Sequence, residues 1–99
     1  MPAPSRVLLL TRPGCHLCEE AESVVAAICE EVGAGWRKVD VDSDDALRAQ
    51  WTDHVPVTFA DQSLHGRWFV DPDKLRQALL DGAPHPMPAD WRPPAPGPS

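Results

Sequence analysis

An unbroken apolar run, Val7-Leu8-Leu9-Leu10, meets a Pro13-Gly14 breaker, and two cysteines, Cys15 and Cys18, follow where a helical pattern begins. A short apolar run closed by a breaker reads as a strand buried on both faces, here Arg6 to Thr11. Beyond it, Leu17, Ala21, Val24, Val25, Ile28 and Val32 recur at steps of three and four. Glu19, Glu20, Glu22, Glu30 and Glu31 mostly fall elsewhere, which predicts an amphipathic helix from His16 that Gly33 and Gly35 stop. The chain therefore holds a strand, a turn and a helix, with a thiol at the helix start.

The remaining pattern completes an alternation of strands and helices. In Trp36 to Asp42, Val39 and Val41 alternate with Lys38, Asp40 and Asp42, as in a strand with one wet face. Ser43-Asp44-Asp45 supplies a helix cap and acids for the positive helix end, and the helix runs to about Trp51, burying Leu47 and Trp51. Val55 to Ala60, opening with Pro56, is a third strand; Asp61-Gln62-Ser63 turns it into a fourth, Leu64 to Val70. Asp71-Pro72-Asp73 then starts a helix with the stripe Leu75, Ala78 and Leu79, ended by Gly82 and Pro84. The order β-α-β-α-β-β-α predicts an α/β sheet of four strands with helices on both faces. The first two strands should be parallel through a right-handed crossover, and the last two antiparallel. Ligands of such sheets gather at the carboxyl ends of the strands, where Cys15 lies.

Composition bounds the partners. Of the 99 residues, 84–99 include seven prolines (84, 86, 88, 93, 94, 96 and 98) without helix or strand period. We read 1–83 as the folded domain and 84–99 as a disordered proline-rich tail, with binding of a partner in polyproline form as the alternative. A net charge of −6 without basic clusters argues against nucleic acid and anionic membrane as partners. The longest apolar run is far short of a membrane span, and MPAPSRVLLLT lacks the apolar core of a signal peptide, so a cytoplasmic location is expected. There, cysteines serve redox or metal chemistry more often than scaffolding.

A thiol at the first turn of a helix faces unpaired backbone N–H groups and the positive end of the helix dipole, both of which favour the thiolate. The thiolate is the attacking species in disulfide exchange. Cys18 stands one helical turn on, within reach of a disulfide with Cys15. Cys15 is thus the expected nucleophile and Cys18 the resolving thiol. Arg12 and His16 can add positive charge beside Cys15, whereas Glu19 and Glu20 oppose it.

The segment from Leu8 to Ala21 resembles the active-site segment of glutaredoxin-like proteins of the thioredoxin superfamily, and in particular a poorly characterised bacterial branch. The similarity extends over roughly residues 6 to 81. His54-Val55-Pro56 stands where glutaredoxins carry Thr-Val-Pro. The resemblance implies a thioredoxin-like fold, a cis-proline at Pro56 facing the cysteine pair, and substrate pairing through the Val55 backbone. The candidate substrate-binding set is therefore Arg12, His16, Leu17, Val55 and Pro56. Two features depart from the family. His16-Leu17 replaces the usual Pro-Tyr, and the Gly-Gly-x-Asp segment that holds the free end of glutathione has no counterpart around Gly66 and Asp71.

Other chemistries fit less well. A zinc site needs four ligands, and Cys29, His54, His65 and His85 form no second pair. An iron–sulfur cluster shared by two subunits, known for some glutaredoxins, is set aside with it. Asp40, Asp42, Asp44 and Asp45 start like a calcium loop, but Asp45 replaces its glycine and Trp51 its glutamate. Cys29 is read as a small buried hydrophobe, and Trp36, Trp51 and Trp68 as core or rim packing, with shaping of the substrate groove the alternative for Trp68. His54 is read as a solvated loop residue, with a place near the active site its alternative. The expected function is a monomeric thiol–disulfide oxidoreductase without metal or prosthetic group. It would act on protein disulfides or glutathione mixed disulfides and be regenerated by an external thiol, glutathione included, or by a reductase. The alternative is a non-enzymatic adaptor that senses redox state or binds a protein.

Overall fold

A computed structural model describes residues 5–88 and 91–93. Strand β1 (Ser5–Thr11) lies inside a four-stranded mixed sheet. On one side it pairs in parallel with β2 (Gly35–Asp40), and on the other antiparallel with β3 (Val57–Ala60). β3 in turn pairs antiparallel with β4 (Ser63–Arg67), giving the order β2-β1-β3-β4. Helix α1 (His16–Val32) joins the two parallel strands, α2 (Asp45–Trp51) leads towards β3, and α3 (Pro72–Asp81) follows the hairpin. This is the α/β arrangement that the order of elements implies, and the thioredoxin-like fold that the resemblance implies.

Both faces of β1 are covered, which explains its unalternating sequence. Val7 and Leu9 pack with Ala21, Val25 and Ile28 of α1 and Leu75 and Leu79 of α3. Leu8 and Leu10 point the other way, to Leu47 and Trp51 of α2 and Phe59 of β3. Each buried leucine or valine contributes on the order of 1.5–3 kcal/mol. Asp44 caps α2 by accepting the Ala46 and Leu47 N–H groups, and Asp71 caps α3 through those of Asp73 and Lys74. Asp61 and Gln62, at φ 51 and 69, form the two-residue hairpin turn whose positive φ values suit the strand twist.

Four boundaries differ from the sequence reading by more than one residue, each for a local reason. β2 stops at Asp40, whose carboxylate accepts the Asp42 N–H at 2.8 Å and so starts a 3-10 turn over Val41–Ser43. β3 begins after Pro56, because a strand paired on both sides needs the N–H that proline lacks. β4 stops at Arg67, because Trp68 takes a left-handed φ of 67. The largest difference is at residue 83, where the domain was expected to end. The Asp61 carboxylate accepts the His85 N–H at 3.1 Å, and the Ser5 carbonyl accepts that of Met87 at 2.8 Å. Met87 is 5% exposed against the Leu8–Leu10 face, and Trp91 meets Phe59 edge-on at 5.7 Å. The sheet face that α2 leaves open takes these apolar side chains. Of the expected disordered tail, residues 89–90 and 94–99 lie outside the described residues.

Candidate functional site: a thiol pair at a helix tip

The site is built where β1 hands over to α1. Pro13 and Gly14 reverse the chain, with Gly14 at φ 73, a conformation that a side chain would disfavour. Cys15 then occupies the cap position of α1, and its Sγ accepts the Cys18 backbone N–H at 3.1 Å. That hydrogen bond and the helix dipole both favour negative charge on this sulfur. Cys15 and Cys18 are bonded to each other, with Cα atoms 5.2 Å apart. Cys15 is half-buried at the surface, whereas Cys18 is 3% exposed and packs with Leu8, Leu10 and Val55. The outer sulfur can meet another disulfide; the inner one reaches only its neighbour.

A cleft of about 300 Å³ opens beside the pair, lined among others by Thr11, Arg12, Cys15, Cys18, Lys38 and Asp40. Thr11 and Asp40 are register partners at the carboxyl ends of the parallel strands, where such a site was expected. Lys38 also faces Glu22 across the cleft at 3.2 Å. Its contribution was invisible in sequence, because only the β1–β2 register brings Lys38 near Cys15.

The remaining expected residues separate. His16 is exposed, with its ring nitrogens 3.9 Å from Glu19 and 3.4 Å from Glu20, so these acids meet any charge the ring carries. Leu17 leaves the core stripe of α1 and is 47% exposed, lining a second groove rather than the cleft. The Val55–Pro56 peptide bond is cis, as the resemblance implies, and both residues are buried, Val55 in the cluster that holds Cys18. His54 is not a solvated loop residue. It is half-buried, edge-on to Trp51 at 5.9 Å and stacked on Trp68 at 6.5 Å.

Sequence reasoning missed Phe69. The Trp68-Phe69-Val70 run carried a signal, because three consecutive apolar residues cannot share one face of a strand. Here the Phe69 N–H bonds back to the Arg67 carbonyl at 2.8 Å, around Trp68 at φ 67. This tight turn is costly for a bulky residue, about 1–3 kcal/mol. Trp68 is held in it by its N–H to Pro56 at 2.6 Å and its indole N–H to Asp53 at 3.4 Å. Cys29, by contrast, lies on the buried face of α1, and burial pushes its thiol up to about 11 despite the nearby Arg6. It is inert packing, as expected.

Residues 6–80 match the glutaredoxin-like domain family, DUF836. The chain belongs to this family. An uncharacterized Mycobacterium tuberculosis protein, Rv0508, is 36% identical to it over 76 residues, covering 72% of this chain and 78% of its own length. A Xanthomonas structure, target XcR50 from X. campestris, superposes with a TM-score of 0.62 at 32% identity, covering 79% of this chain and 99% of that one. Protein Ne2328 from Nitrosomonas europaea gives a TM-score of 0.61 at 25% identity, with 76% and 91% covered. This glutaredoxin-like domain therefore has its cysteine pair within the matched region. Among the described residues, no helix is long and apolar enough to cross a membrane.

Proposed function

We propose that this glutaredoxin-like domain is a dithiol oxidoreductase that reduces protein disulfides or glutathione mixed disulfides in the cytoplasm. The supporting observation is the half-buried Cys15 sulfur at the α1 tip, accepting a backbone N–H, with Cys18 one turn behind and shielded. In the reduced protein the Cys15 thiolate attacks one substrate sulfur. The substrate S–S bond breaks, a Cys15–substrate disulfide forms, and the other substrate sulfur leaves as a thiolate that takes up a proton. Cys18 then loses its proton and attacks the Cys15 sulfur, expelling the second substrate thiol. Two electrons have passed to the substrate, and the Cys15–Cys18 disulfide remains. An external thiol or a dithiol reductase returns the pair to the reduced state, with glutathione as one candidate. Arg12 and Lys38 border the approach to Cys15, while the Val55 backbone offers a pairing edge beside it.

The test is dithiothreitol-driven reduction of insulin by wild type, Cys15→Ser and Cys18→Ser. Wild type is expected to turn over. Cys15→Ser should fall to background, and reduced Cys18→Ser, mixed with insulin after the dithiothreitol has been removed, should accumulate a mixed disulfide visible in the intact mass. Equal background rates for wild type and Cys15→Ser, both on insulin and on a small glutathione mixed disulfide, would contradict the proposal and favour a non-enzymatic adaptor.

A further inference from the structure

The most exposed apolar side chains near the thiol pair share one place. Phe69 is 73% exposed, Trp68 49% and Leu17 47%. Together with Ala21, Val24 and Val70 they line a groove of about 120 Å³ with Glu20 among its lining residues. The groove is fixed rather than incidental. The backbone holds Trp68 at φ 67, and its ring is pinned by the Asp53 carbonyl and by His54. A residue held in a disfavoured conformation so that two aromatic rings stand out in water calls for a ligand that covers them.

We infer that this groove seats an aliphatic side chain of a polypeptide substrate, close in sequence to the substrate cysteine that meets Cys15. The inference rests on the oxidoreductase reading above and assigns its substrate class. Three observations select the occupant. Leu17 lies between Cys15 and Cys18 in the chain, so whatever covers it is brought beside the reacting sulfur. An apolar cavity of about 150 Å³ holds a benzene ring, so a groove of about 120 Å³ suits one branched aliphatic side chain. Glutathione offers two carboxylates and an amine but no aliphatic side chain, and the groove presents apolar atoms and the Glu20 carboxylate. Unpaired carboxylates are disfavoured against those apolar atoms by desolvation.

The experiment uses the full chain with dithiothreitol and three disulfides of one chromophoric thiol. Its partners are a short peptide with Leu next to its cysteine, the same peptide with Ser instead, and glutathione. For wild type, kcat/KM on the Leu peptide is expected to exceed the other two about tenfold. Phe69→Ser and Leu17→Ser should each bring the Leu-to-Ser ratio close to one. A ratio near one in wild type, a preference for the glutathione disulfide, or a ratio unchanged in both variants would overturn the inference while leaving the redox reading intact. Release from all three no faster than by Cys15→Ser would instead remove the oxidoreductase reading itself, and the groove assignment with it.

Discussion

Cys29 and Cys15 sit on the same helix, and their surroundings assign them opposite behaviour. Cys29 is enclosed by the Val7–Leu9 face, and its thiol is raised to about 11, so it stays neutral near neutral pH. Cys29→Ser is expected to cost about 1–3 kcal/mol in urea unfolding, from burying a hydroxyl, and to leave disulfide turnover at the wild-type rate. Asp61 shows a second environment. Burial alone would raise its carboxyl, but the Arg6 guanidinium and the His85 N–H outweigh burial and hold it below the ordinary 3.8. Its folded-state pKa is depressed, so its contribution is complete above the ordinary value and is lost as pH falls through the folded one. Asp61→Asn should therefore destabilise by about 1.5–3 kcal/mol near neutral pH, from a lost charged hydrogen bond. That difference should shrink as denaturation is followed below about pH 4. A constant difference at all pH values would contradict the pairing.

The segment after α3 joins several elements that the sequence left apart. Arg6 on β1 holds Asp61 in the hairpin turn through two hydrogen bonds, at 2.9 and 2.8 Å, and also the Leu79 carbonyl at the end of α3. Arg37 on β2 donates to the Pro88 and Trp91 carbonyls at 3.2 and 2.8 Å, carrying the chain across the sheet. Met87→Ala is accordingly expected to lower stability by about 2 kcal/mol in a urea or thermal melt, where a solvated tail would show no change. The strands and helices were legible because β1 is an unbroken apolar run buried on both faces, and α1 and α3 each bury one face with a regular period. Met87 and Trp91 were not, because single apolar residues among prolines have no period, and only the sheet face that α2 leaves bare gives them a place. Leu17 misled for the reverse reason. It continues the α1 stripe on paper, yet it lies at the helix tip beyond the edge of the core.

The whole molecule is one sheet whose central strand delivers a thiol to a helix tip. The parallel β1–β2 pair and the antiparallel β3–β4 hairpin follow from spacing and turn chemistry. The antiparallel β1–β3 pairing and the resulting order are non-local and became legible only in the assembled sheet. The cysteine pair was legible for the same reason that it functions, since strand, breaker and helix cap are contiguous in sequence. Trp68 is open to a groove role from the sequence alone, but the cleft residue Lys38 and the rim residue Phe69 come from segments distant in the chain and were not legible. The central claim is that Cys15 and Cys18 form one reversible two-electron couple within the intact fold. It is tested most directly by equilibrating the native protein across dithiothreitol redox buffers, trapping thiols by alkylation and counting labels by intact mass. The account expects zero labels to give way to two in a single transition, with Cys29 adding a third only after denaturation. A stable singly labelled species, or labels that appear only on unfolding, would contradict it.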